Sequence, residues 1–268
     1  MNYLVIKCGG SVLEALPESF YENIVHLEKE LDVKPVIVHG GGPLISSLLK
    51  VMGTETTFVN GLRVTTEEVL DVVEMVLSGS VNKQIVRHLV EAGGAAYGLS
   101  GIDGGLLKAK KLESSVDLGY VGKIFHVETK LISQLGDHGY IPVISPLGID
   151  ERGQRYNING DIAAAEVAKA LGAKLCLISD IPGIYVEEAD EKQVLHSVTK
   201  EDILQLMDAE VITGGMIPKV KSAIDALEHG VPEVSIINGM AVDALIDFCT
   251  GKEIGTKITL AEEVAHVH

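Results

Sequence analysis

Apolar, strand-like runs that end directly in glycine, each leading into a segment with one apolar helical face, constrain this chain more than any other feature. Tyr3 to Ile6 passes through Lys7 and Cys8 into Gly9, Gly10 and Ser11, and Pro35 to His39 runs into Gly40, Gly41, Gly42 and Pro43. After the second run, Leu44, Ile45, Leu48, Leu49 and Met52 recur at helical spacing, and Pro43 suits a first helical position. Buried strand, glycine turn and helix, repeated with no linker between, describe an α/β chain. Its 268 residues allow one large domain or two lobes.

The same periodicities predict the remaining elements. A helix is expected over residues 17–31 through Phe20, Ile24, Leu27 and Leu31, and a hairpin over 57–65 around Asn60-Gly61. Residues 67–77 and 81–92 predict two helices split at Gly79, a residue unfavourable inside a helix. Strands are expected at 94–99, 106–109, 121–126 and 141–144, with a helix over 128–136; Lys108, Lys110 and Lys111 read as a solvated edge. Residues 151–161 close a β excursion before the helix of Ile162, Val167 and Leu171, and 174–179 predict a central strand. An acidic loop over 187–193 precedes a strand at 194–196 and a helix at 200–207. The chain then gives a strand at 233–237, a helix at 241–248, an edge strand at 255–260 and a frayed tail from Glu262.

The formal charge of -16, from 22 basic and 38 acidic residues, argues against nucleic acid as a partner, because that needs a basic face to displace counterions. An anionic ligand would have to be held by a few well-placed cations and N–H groups against that field. Cys8, Cys176 and Cys249 form no C-x-x-C and read as reduced, buried thiols. Nothing resembles a signal peptide or a membrane span of roughly 18 apolar residues, so a soluble cytoplasmic protein is expected.

Lys7, Gly9 and Gly10 bring a cation and free N–H groups to one strand end. Glycines admit a ligand oxygen to the main chain, although the same pair could simply turn it. Three glycines before a helix exceed what a tight turn needs, and with the helix dipole they point to an anion. Arg63, on the return strand of the hairpin, is either a solvated cation or a bidentate carboxylate ligand overhanging that helix start. Asn157 and Asn159 are expected as a strand pair with their amides on one side, and Asp161 opens a helix where acids are ordinarily favoured. Asp180, Ile181, Pro182 and Gly183 follow the central strand at the sheet edge where α/β ligands bind. Lys219 sits beside Pro218 in the first turn of a helix striped by Ile217, Val220, Ile224 and Leu227. The dipole opposes a cation there by about 0.3 to 1 kcal/mol, which makes sense where an anion balances it. G-x-G-x-x-G, the P-loop pattern, H-E-x-x-H and G-x-S-x-G are all missing.

Taken in order, KCGGS at Lys7, VHGGGP at Val38, NGLRVT at Asn60, NINGD at Asn157, SDIPGIY at Ser179 and TGGMIPKV at Thr213 resemble the amino-acid kinase family over nearly the whole chain. NGLRVT after HGGG is the most specific of these. The resemblance implies an open αβα sandwich with a mainly parallel central sheet in two lobes. Residues 1–172 would bind the amino-acid substrate and dimerise, and residues 173–268 would bind ATP. It implies ATP-dependent phosphorylation of the γ-carboxylate of N-acetyl-L-glutamate, a step of arginine biosynthesis. Gly41, Gly42, Arg63 and Asn157 would bind that substrate. ATP would meet Gly9, Gly10, Asp180, Ile181, Pro182, Gly183, Ile184, Tyr185, Val211, Ile212 and Thr213. Lys7 and Lys219 would stabilise the transition state, Asp161 would organise both, and Mg2+ would be carried by phosphates and water with no protein metal site. Gly214 departs from the family, whose members often carry an acid there. The first strand begins by Tyr3, whereas arginine-inhibited members resemble hexamers joined by an extra N-terminal helix, so an arginine-insensitive homodimer is expected. The alternatives are a sister kinase acting on carrier-linked aminoadipate or aspartate, and a non-catalytic ligand sensor on the same scaffold.

Overall fold

A computed structural model of the chain describes residues 2–188 and 191–260. Strand β1 (Tyr3–Cys8) is buried along its length apart from a half-buried Lys7. Its alternation feeds two cores: Tyr3 and Val5 join Val36, Val38, Ala163, Val167 and Val220, while Leu4, Ile6 and Cys8 join Ile37, Val73 and Leu77. Helix α1 (Gly10–Leu13) starts from the first glycine pair. Helix α2 (Glu18–Glu30) follows, capped by Pro17 and Leu31 within a residue of expectation. Strand β2 (Lys34–His39) runs into α3 (Gly42–Met52), which has Pro43 in its first turn and ends at left-handed Gly53. Strands β3 (Phe58–Val59) and β4 (Leu62–Arg63) pair across Asn60 and Gly61, with φ of 50° and 79°, the positive values a two-residue hairpin turn requires.

Gly79 does not divide the next helix. Helix α4 (Glu67–Glu74), capped by the Thr66 hydroxyl, continues through a π-helical segment, Met75–Val81, into α5 (Asn82–Glu91). No atom lies within 4 Å of where a Gly79 Cβ would sit, so this glycine faces open space inside a helix instead of marking a turn. The wider π turn lays Leu77 and Val81 against Gly41, where a methyl group would stand 2.7 and 3.2 Å from them. Strand β5 (Ala96–Ser100) precedes β6 (Leu107–Lys111) and β7 (Gly122–Val127), and Lys108, Lys110 and Lys111 are exposed as expected. Helix α6 (Thr129–Asp137) leads to β8 (Ile141–Ser145), β9 (Leu147–Ile149) and β10 (Arg155–Asn157). A small second sheet has the order β10-β9-β6-β7. Arg155 pins β10 to α4 through Asp71 at 2.7 Å and through Glu74.

Helix α7 (Gly160–Leu171) and strand β11 (Lys174–Ser179) fall where expected. The acidic stretch expected as a loop is a hairpin, β12 (Tyr185–Glu188) paired antiparallel with β13 (Glu191–Val194), because pairing uses backbone groups that the run of charge conceals. Strand β14 (Ser197–Thr199) and helix α8 (Lys200–Asp208) share a capping box between Thr199 and Asp202. Helix α9 (Met216–Glu228) and strand β15 (Val234–Asn238) follow. Helix α10 (Ala244–Cys249) starts three residues later than expected because Asp243 is left-handed, with φ of 61°.

The central sheet has the order β14-β16-β15-β11-β1-β2-β8-β5, parallel throughout except where β16 (Thr256–Thr259) meets β15. Strand β16, expected at an edge, pairs on both sides, and β14 and β5 are the edges. The frayed tail expected from Glu262 lies outside the described residues. Cys8 pairs in register with His39 and Ile178, and Ser179 with Asn238, so one sheet edge collects the carboxyl ends of the central strands.

Candidate active site

Lys7 shares the β1 face of Tyr3 and Val5, toward α7, and its Nζ lies 2.8 Å from Oδ1 of Asp161 in that helix's first turn. Asn159 is the helix cap: its side-chain oxygen accepts from the N–H groups of Asp161 at 2.8 Å and Ile162 at 3.2 Å. The expected Asn157–Asn159 strand pair therefore does not form. Strand β10 stops at Asn157, because capping offers Asn159 two bonds, and Asn157 donates instead to Thr65 Oγ1 at 3.0 Å.

Lys219 lies in the first turn of α9, with Nζ donating to Ser179 Oγ at 2.7 Å and 3.7 Å from Asp180 Oδ1. Burial lowers its pKa below the ordinary lysine value; Asp180 opposes that shift, Lys7 adds to it, and Asp161 also opposes it. Lys7 is in register with Leu177, two residues before Ser179, so the two ion pairs lie at the ends of neighbouring strands. Asp161 pairs directly with Lys7 and its charge also acts on Lys219, while Ser179 and Asp180 hold Lys219. As a partner of Lys219, Ser179 went unread in the sequence, although alternation along β11 puts it on the face of Leu175 and Leu177, toward α9.

The glycine loops meet at the same sheet edge. A methyl group on Gly10 would stand 2.8 Å from Pro43 Cδ and 3.0 Å from both Cα and N of Gly41. Only glycine permits that approach, which sets the starts of α1 and α3 side by side.

On one side lies a cleft of about 140 Å³ lined by Gly41, Gly42, Phe58, Arg63, Leu77 and Asn157 among others. Arg63 is no solvated hairpin cation. It is 7% exposed, its pKa lowered by burial, with Cζ 4.6 Å from the Phe58 ring centroid. Its guanidinium donates to Thr56 Oγ1 at 3.0 Å, Ser46 Oγ at 2.8 Å and the Gly42 carbonyl at 3.1 Å. Buried Thr65 ties the pocket together, donating to the Arg63 carbonyl at 2.8 Å while accepting from Asn157.

On the other side a pocket of about 240 Å³ is walled by Ile181, Gly183, Ile184, Tyr185, Val211, Ile212, Thr213, Gly215 and Met216. Asp180 faces Lys219 instead, and Pro182 lines a neighbouring hollow with His196 and Val242. Gly9 and Gly10 line neither pocket: a Cβ on Gly9 would stand 3.5 Å from Lys7 Nζ, and Gly10 packs against Gly41. Cys8 and Cys176 are buried and Cys249 is half-buried; burial pushes the Cys8 thiol up to about 12 and that of Cys176 well above its ordinary value, so neither is a ready nucleophile. Among the described residues no group of three His, Cys, Asp or Glu side chains could hold a metal, and no helix is long and apolar enough to cross a membrane.

The chain is similar to known proteins over its full length. Residues 2–238 match the model of the amino acid kinase family. The chain is 46% identical over 267 residues to acetylglutamate kinase of Oceanobacillus iheyensis, with 100% of each chain covered. Against acetylglutamate kinase of Geobacillus kaustophilus it is 51% identical over 238 residues, covering 88% of this chain and 90% of that one. N-acetylglutamate synthase from Neisseria gonorrhoeae, solved with coenzyme A and N-acetyl-glutamate, superposes with a TM-score of 0.80 at 28% identity, covering 98% of this chain and 60% of that one. A chain that matches the family model over residues 2–238 and is this alike in sequence to its relatives belongs to the amino acid kinase family.

Proposed function

We propose that this chain transfers the γ-phosphoryl group of ATP to the γ-carboxylate of N-acetyl-L-glutamate, the reaction named in its relatives. The observation that carries the reading is that Lys7 and Lys219, 212 residues apart in sequence, stand at the ends of neighbouring strands: Lys7 is in register with Leu177, two residues before the Ser179 that holds Lys219. A glutamate side chain has a pKa of about 4.3, so the nucleophile is already ionised and needs no general base. The work left to the protein is to bring two anions into line and spread positive charge over the moving group. The lysines and the glycine N–H groups of both loops supply that charge.

Arg63 keeps N–H groups over for the substrate's other carboxylate. A free α-ammonium beside that carboxylate would face the guanidinium, whereas an acylated nitrogen carries no charge; this favours the N-acetyl substrate. The 240 Å³ pocket, whose walls mix the apolar side chains of Ile181, Ile184, Val211 and Met216 with polar groups, suits the nucleotide base. Mg2+ would ride on the ATP phosphates and water, which fits a site whose Asp161 and Asp180 are already paired with lysines. Residues 1–172 form the substrate lobe and 173–268 the nucleotide lobe, a division supported by linings of the two pockets that do not cross it. Buried thiols and dependence on ATP fit a cytoplasmic enzyme.

ADP release coupled to a reporter, with N-acetylglutamate set beside glutamate, aspartate and N-acetylaspartate, tests the reading. N-acetylglutamate is expected to give the highest kcat/KM; ADP from none of the four would leave a ligand sensor, and preference for aspartate would move the chain to a sister kinase. The homodimer is assigned to the open edge of β5, which carries exposed Tyr97 in edge-on contact with Tyr140, beside exposed Val90 on α5. Light scattering should return the mass of two chains, and a hexamer would exclude this assembly.

A further inference from the structure

His39 ends the apolar run of β2, and its imidazole has no solvent exposure. No step of phosphoryl transfer uses it. Alternation sends it to the β2 face of Ile37, toward the π-helical segment and α5. There Asn82, equally buried, sets its amide nitrogen 3.2 Å from His39 Nε2, 2.9 Å from the Val143 carbonyl and 3.2 Å from the Leu99 carbonyl. The amide oxygen accepts from Lys83 Nζ at 3.0 Å. Two carbonyls on one side and an ammonium on the other leave one orientation for the amide, so His39 Nε2 faces an NH2 group whose two hydrogens it shares with both carbonyls, and it carries no proton because a donor there would meet no acceptor. The proton sits on Nδ1, which donates to the Gly40 carbonyl at 3.0 Å. Burial keeps the ring neutral, lowering its pKa to about 4 against the Gly40 bond, which acts the other way.

We propose that His39 is a positioning residue for the phosphoryl transfer proposed above, and depends on that reading: its Nδ1–H pins the Gly40 carbonyl inward so that the Gly41 N–H faces the moving phosphoryl group. The peptide is trans, so the Gly40 C=O and the Gly41 N–H point in opposite directions. Fastening the oxygen to the buried ring turns the N–H away from it. Gly41 N lies 3.0 Å from where a Gly10 Cβ would be, against the other glycine loop. The neighbouring oxygens are occupied too, Gly41 O by Ile45 N at 3.0 Å and Gly42 O by Arg63 Nη2 at 3.1 Å. With all three glycine carbonyls bound elsewhere, the loop offers the anion donors alone. A carbonyl swung into the cleft would set a negative dipole against the phosphoryl oxygens.

Two amide replacements separate this role from packing. Asparagine can return an N–H near the Nδ1 position, whereas glutamine returns one near Nε2. In steady-state ADP release with N-acetylglutamate, His39→Asn is expected to keep kcat within about threefold of the parent. His39→Gln should lose about 10- to 100-fold in kcat, with KM for both substrates within about threefold. Equal losses in the two variants, or none in either, would overturn the role. Histidine ¹⁵N NMR of the unaltered protein at neutral pH reads the proton position directly: Nδ1–H is expected, and the Nε2–H form would overturn the proposal without any variant having to fold. If the parent releases no ADP with any acidic amino acid, the kinase reading fails, while the NMR result still reports the His39–Gly40 bond.

Discussion

Lys219→Ala is expected to lower kcat about 10³-fold while KM for ATP moves less than about threefold. In the free protein this ammonium already has partners in Ser179 and Asp180, so ATP gains little by replacing them in the ground state. The gain comes as negative charge shifts onto oxygens between Lys219 and Lys7, where a second cation and the start of α9 act together. An interaction made only at that moment shows in kcat. The same placement makes Lys219 unfavourable to the empty fold, since burial and the helix dipole both act against a cation there. The alanine variant should therefore melt no lower than the parent. Steady-state kinetics beside a thermal melt checks both halves; KM for ATP raised with kcat intact would make Lys219 a binding residue only.

That Lys7 and Lys219 are unusual was legible because each breaks a local rule. Lys7 interrupts a buried strand, and Lys219 puts a cation at the positive end of a helix. The parallel sheet was legible for a similar reason, since runs such as those of β1, β2 and β11 are apolar on both faces. What escaped reading depends on which element faces which. Ser179, Thr65 and Ser46 are ordinary hydroxyls until α9, β10 and the hairpin come over them. Asn159 was paired with Asn157 by period-two spacing, yet a helix start one residue on gave its oxygen two N–H groups to accept. Gly79 looked like a break because glycine weakens helices, but the packing of Val76, Leu77 and Val81 outweighs a propensity cost of about 1 kcal/mol. The interior place of β16 was hidden because strand order is a property of the whole chain and not of four residues.

Arg63→Ala is expected to raise KM for N-acetylglutamate at least about 100-fold while leaving KM for ATP within about threefold. A charge-assisted hydrogen bond is worth about 1.5 to 3 kcal/mol, and two to the substrate, from the Nε–H and the second Nη1–H that Arg63 has left, exceed the roughly 2.7 kcal/mol that a hundredfold change requires. Arg63 can deliver them because it is held before the ligand arrives: Thr56, Ser46, the Gly42 carbonyl and the Phe58 ring fix its plane. Arg63→Lys should restore little, since a single ammonium cannot keep those contacts and still reach the substrate. Ser46 and Thr56 are only half-buried, so water can take over their bonds and the alanine variant should fold. The asymmetry between the substrates is the informative part. The Arg63 pocket draws its lining from residues up to Gly160 and the pocket proposed for the nucleotide from Ile181 onward, so a lesion in one has no direct contact with the other. Equal rises in both KM values would mean that the pockets close as one unit, and the separation of substrate and nucleotide lobes would have to be abandoned.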